Sequence, residues 1–151
     1  MPLLFYVIPL WAGKGLKLYI NLKDGAAGLA VSALILSPLL LLLLLRGGGI
    51  HLPDSKLVIY QLLGVALPEE LYFRGFLQEG MGNNLRAVVI VSLLFSIMHL
   101  PQLIFYGQFL APLTFFPSLI MGYLYMRTGN VLASTIFHFF ANMVFYGSYR
   151  T

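Results

Sequence analysis

Apolar residues fill most of this chain in long blocks, and the polar positions between them mark where elements should end. Residues 3–12 (LLFYVIPLWA) are apolar, but they are about half the length of a bilayer crossing and Pro9 interrupts them. They fit an interfacial or re-entrant segment, or the start of a helix that runs past Lys14. A loop from Gly13 to Asp24 holds Lys14, Lys17 and Lys23, and the stretch from Gly25 to Leu45 is uncharged. At 1.5 Å per residue that stretch covers about 30 Å, one bilayer core. Leu39 to Leu45 has no polar face, which predicts contact with lipid, and Pro38 predicts a kink.

The next break runs through Arg46, Gly47-Gly48-Gly49, His51, Pro53 and Asp54. Asp54 or Ser55 can cap a helix from Lys56 to about Gln78, with Pro68 inside it removing one backbone donor and opening a carbonyl. Glu79 to Asn84 reads as a turn. Further helices are predicted from Arg86 to Leu100, ended by Pro101, from Leu113 to Arg127, and from Val131 to about Tyr146. Gln102 to Pro112 reads as a loop or broken segment rich in aromatics, and Thr128-Gly129-Asn130 as a turn. The fold class expected is an all-α transmembrane bundle of five spans, six if the N-terminal block also crosses.

Composition narrows the picture. The chain of 151 residues is 60% hydrophobic and 9% charged, which fits one membrane-embedded domain, with its polar motifs between about 56 and 147. A net charge of +4 scattered over the chain makes no nucleic-acid groove. With no cysteine there is no disulfide, thiolate nucleophile or thiolate metal ligand. A cleavable leader is not expected, because the lysines follow the first apolar block. The lysine loop favours the cytoplasmic side by a small charge bias.

Against this background the stretch Pro68-Glu69-Glu70-Leu71-Tyr72-Phe73-Arg74-Gly75 stands out, since a charge in mid-bilayer costs several kcal/mol unless paired or hydrated. Glu70 and Arg74 are four apart and share a helix face, so they should neutralise each other, while Glu69 points about 100° away. That leaves Glu69 as the general base. His138 and Asn142 are also four apart and offer two donors, which suits an oxyanion hole. Counted from the Glu79 to Arg86 side, Glu69 lies roughly 15 Å deep, His99 roughly 20 Å and His138 roughly 10 Å, close enough to line one cavity.

EExxxR (Glu69, Glu70, Arg74) followed by Gly75, then FxxxH (Phe95, His99), then HxxxN (His138, Asn142), in this order on successive apolar segments, resembles the membrane-embedded CAAX prenyl protease type II and bacteriocin-processing family. Ser92-Leu93-Leu94-Phe95 and Thr128-Gly129-Asn130 match as well, and the resemblance covers about Leu67 to Asn142. It implies a glutamate-dependent intramembrane peptidase in which Glu69 and His99 activate water, His138 and Asn142 stabilise the oxyanion, and Glu70 and Arg74 support them. It implies no cofactor, and as partners the lipid bilayer and a membrane-associated substrate: a prenylated CAAX protein, a peptide precursor or a C-terminal sorting segment. The location implied is a bacterial or archaeal cytoplasmic membrane. The chain is short for the family.

Other readings carry weight. Two histidines and a glutamate are also a zinc ligand set, although no H-E-x-x-H is present and the candidates lie on three helices. Glu70 with Arg74 alone is more simply an ion pair, and His138 with Asn142 could be interhelical glue. A non-catalytic scaffold or bacteriocin-immunity protein would use the same fold. A proton-coupled transporter would use buried Glu and His, but no inverted repeat is visible.

Overall fold

The computed structural model describes residues 2–12, 17–46 and 53–148, which form helices and turns with no strand among them. Lys14, the glycines at 47–49, His51 and Arg150 lie outside the described residues. Helix α1 is Pro2–Trp11 and α2 is Leu22–Leu45. Helix α3 covers 55–78 without a break, as Ser55–Ile59, a π-helical Tyr60–Ala66, Leu67–Glu70 and a second π-helical stretch Leu71–Gln78. Then come α4, Leu85–Met98, and α5, Leu100–Tyr106, followed by a 3-10 turn at Ala111–Thr114. Helices α6, Phe115–Thr128, and α7, Val131–Ser148, complete the chain.

Local chemistry explains most of the ends. Asn21, Asp54 and Asn84 each accept a backbone N–H of the helix they open, from Lys23, Leu57 and Ala87. Asn21 thereby starts α2 three residues before the predicted Gly25. Gly107 and Gly129 close α5 and α6 in the left-handed region, at φ 65° and 64°. Pro101 does not end the helical run as predicted. It falls in the first turn of α5, where a proline lacks only a donor that has no partner anyway, so the break is confined to His99. The predicted aromatic loop is correspondingly shorter.

The helix expected around Pro68, with one carbonyl left open, is wound more loosely on both sides of the motif. The N–H of Leu67 bonds five residues back, to the Leu62 carbonyl. In that pattern the next donor would serve Leu63, and the next residue is Pro68. The orphaned Leu63 carbonyl accepts the hydroxyl of Tyr6. The predicted open carbonyl is therefore closed by α1, which packs on α3 with the Phe5 ring centre 4.8 Å from that of Tyr72 and 5.8 Å from that of Phe73, both at a tilt.

On α2 packing is inside out relative to a helix of a water-soluble bundle. In α2 the buried residues are Gly28 and Ser32, whereas Leu29, Leu34, Leu41, Leu42 and Leu45 are exposed. A Cβ on Gly28 would sit 2.6 Å from the Ala133 carbonyl, so α2 and α7 approach as closely as their backbones allow. Small residues at contacts and large apolar ones outside are what association in lipid favours. Two helical stretches, Leu22–Leu45 and Leu85–Tyr106, are long and apolar enough to cross a membrane, and Val131–Gly147 is apolar but shorter. Length and composition thus support two of the spans expected.

Phe73 of α3, Val91 and Phe95 of α4, Met121 and Leu124 of α6, and Ala133 and Phe137 of α7 form the apolar core. The register of α7 is fixed at its start by Asn130, whose buried side chain bonds both backbone groups of Tyr19 and the Asp24 carboxylate. That clamp sets the height at which His138 enters the core.

Candidate active site

The motif residues meet where α3, α4 and α7 pack. Glu70 and Arg74 have no exposed side-chain surface and form an ion pair with 2.9 Å between Oε1 and Nη1. The second guanidinium arm of Arg74 donates to the Ser118 carbonyl at 3.0 Å and to its hydroxyl at 2.6 Å, which ties α3 to α6. The same guanidinium lies 5.0 Å from the Phe95 ring centre. The two Nη groups of Arg74 are therefore met by an anion and by the Ser118 dipoles and its face by a π ring, while its buried Nε has no hydrogen-bond partner.

Glu70 does more than balance Arg74. Its Oε1 also accepts from His138 Nδ1 at 3.0 Å, because a carboxylate already paired to a guanidinium has no proton to give. The other ring nitrogen of His138, Nε2, faces Glu69 Oε2 at 3.8 Å. That oxygen is buried and has no hydrogen-bond partner. His138 thus stands between two adjacent glutamates, held by one and presented to the other.

His99 sits in the break between α4 and α5, where its Nδ1 donates to the Phe95 carbonyl at 2.8 Å. A carbonyl can only accept, so in neutral His99 the lone pair lies on Nε2. Its ring centre lies 4.6 Å from that of Phe95 at a tilt of 35°, and the Phe95 ring also meets the His138 ring edge-on at 5.7 Å. Asn142, one turn beyond His138, donates from Nδ2 to Gln61 Oε1 at 3.0 Å.

Arg74, His99 and His138 thus meet the Phe95 ring, Glu70 bonds Arg74 and His138, and Glu69 faces His138, while Asn142 is joined to the cluster through its helix and to α3 through Gln61. The Glu70–Arg74 pair expected from spacing is present, but the anchoring of His138 by Glu70 was not anticipated. Ser118 and Gln61 were missed. The only available signal was that each is a lone polar residue in an apolar run. Among the described residues no group of three or more His, Asp or Glu side chains is arranged to hold a metal ion.

An all-α bundle with apolar outer faces and an acid–imidazole cluster buried in its middle belongs to the class of helical membrane proteins with an internal polar site. Residues 52–144, more than half of the chain, match the family model described as type II CAAX prenyl endopeptidase, Rce1-like, and the chain belongs to that family, a family of proteases. No curated protein and no solved structure matches it.

Proposed function

We propose that the chain is an intramembrane endopeptidase that hydrolyses a peptide bond of a membrane-associated substrate with a water activated by Glu69 and His99. The observation that carries this reading is the buried Glu69 Oε2 without a hydrogen-bond partner, 3.8 Å from the free edge of a histidine whose other edge is fixed. Structural carboxylates in lipid are paired: Glu70 bonds Arg74 and His138 through Oε1 and leaves only its other oxygen without a partner, whereas Glu69 makes no hydrogen bond and faces His138, which suits a reacting group. The membrane setting expected is five crossings, by α2, α3, α4, α6 and α7.

In the reaction Glu69 takes a proton from water held also by His99 Nε2, and the water oxygen adds to the scissile carbonyl carbon. His138, with a proton on each ring nitrogen, donates from Nε2 to the developing oxyanion, and the second N–H of the Asn142 amide assists. Glu69 then returns its proton to the amide nitrogen as the C–N bond breaks. One water is consumed, and a carboxyl and an amino terminus result. Every group in this sequence belongs to the chain, so no metal enters it.

The family description favours a prenylated protein with a C-terminal CAAX box, and an internally quenched farnesylated CAAX peptide is the first probe. Purified protein in lipid vesicles should cleave it, and Glu69→Ala, His99→Ala and His138→Ala should each abolish cleavage. A wild-type rate in any of the three removes that residue from the scheme. If the probe is inert, mass spectrometry of membrane peptides from cells with and without Glu69→Gln distinguishes another peptide substrate from a scaffold, which would leave the two sets alike. Chelator should leave the rate unchanged; loss restored by zinc would replace this scheme by a metalloprotease.

A further inference from the structure

We infer that Gln61 is a positioning residue that aims the free amide proton of Asn142 at the reaction site, an inference that rests on the proposed role of Asn142. Gln61 lies in the first π-helical stretch of α3 and is 2% exposed, although its neighbours Tyr60, Leu62 and Leu63 are exposed and apolar. An amide buried in lipid-facing sequence needs a partner, because leaving it unmet costs about 1–3 kcal/mol. The partner is Asn142 Nδ2, at 3.0 Å across the α3–α7 contact.

What that bond does follows from the shape of an amide. The Asn142 side chain ends in a planar group on a torsion with a broad energy profile, so α7 alone does not fix which way its protons point. Nδ2 carries two protons in the amide plane, about 120° apart. Once Gln61 Oε1 takes one of them, the direction of the other is set. Asn142 is one turn from His138 on the same face of α7, so the remaining proton can join His138 Nε2 at the same oxyanion. The arrangement parallels the one on His138: a residue of α3 holds one polar end of an α7 side chain and leaves the other for the reaction.

An ordinary interhelical bond between two amides would look the same in a static structure, and kinetics separates the two. Gln61→Met keeps the length of the side chain and removes the acceptor. Cleavage of the farnesylated CAAX probe should then lose about 10- to 100-fold in kcat, as small misplacements of catalytic groups do, with KM unchanged. Gln61→Glu retains an acceptor oxygen and should recover most of the rate. Asn142→Ala should lose roughly 100- to 1,000-fold, and adding Gln61→Met to it should cost nothing further. Effects that multiply in the double variant would make Gln61 a packing residue and overturn the inference, as would a normal kcat for Gln61→Met beside a damaged Asn142→Ala. A wild-type kcat for Asn142→Ala removes its oxyanion role and the inference together. If Gln61→Met does not fold, the comparison of Gln61→Glu with Gln61→Leu supplies the same cycle.

Discussion

The two edges of the His138 ring have neighbours of opposite character. At Nδ1 lie Glu70, Arg74 and Ser118, all fully buried and joined by bonds of 2.6 to 3.0 Å that link three helices, with only Glu70 Oε2 and Arg74 Nε left without partners. At Nε2 lies Glu69, with an unpartnered oxygen 3.8 Å away, and beyond it a partly buried His99 in a helix break. Glu69 and Glu70 are the same residue type one position apart, so chemistry alone does not separate them. Helix geometry does: the 100° between successive side chains sends one into the guanidinium and the other toward the Nε2 edge of His138. The first edge is a fixture that costs desolvation and returns rigidity, and the second is free to change partner during a reaction.

The sharpest break of this comparison is to make both glutamates neutral in turn. Glu69→Gln should cut cleavage of the CAAX probe by roughly 100- to 10,000-fold, the range for loss of a general base, with thermal unfolding unchanged. Glu70→Gln should instead show first as lower thermal stability. A Glu69→Gln protein that unfolds early while Glu70→Gln stays stable would reverse the assignment of the two edges.

Arg74→Ala probes the fixed edge. It leaves a buried carboxylate without its cation, a change that typically costs about 3–5 kcal/mol and should appear as low yield of folded protein in detergent. Combining Glu70→Gln with Arg74→Met removes both charges at similar volume and should restore much of the yield. It should not restore cleavage, because His138 Nδ1 then loses its carboxylate. Recovery of both would mean that Glu70 serves Arg74 alone.

Spacing made the fixed edge half legible. Acid and base four apart announced the Glu70–Arg74 pair, and the periodicity placed every long helix within a few residues. It could not announce Ser118, which is 44 positions from Arg74 in sequence and no different from any serine in an apolar run. Nor could it show Glu70 shared between Arg74 and His138, since that depends on how α7 sits against α3, a height set by Asn130. The loosened winding around Pro68 was equally hidden, because a proline reports a missing donor and not what takes its place. Gln61 was the nearest to visible: a single amide between Tyr60 and Leu62 in a helix already carrying the motif.

The smallest effect expected concerns how Glu69 is carried. Pro68, directly before it, deprives the Leu63 carbonyl of a partner within the helix, and Tyr6 from α1 supplies one, although α1 lies outside the stretch matched by the family. Tyr6→Phe removes only that hydroxyl and should cost about 1 kcal/mol, read as a small fall in unfolding temperature. Pro68→Ala returns a backbone N–H to the helix, so Leu63 no longer depends on Tyr6. In that background Tyr6→Phe should cost close to nothing, and the pair should be non-additive by nearly the full effect of the single change. Equal costs in both backgrounds would mean that the hydroxyl merely anchors α1 to the surface of α3. A non-additive result would show that the N-terminal helix completes the backbone of the turn that aims the reacting carboxylate.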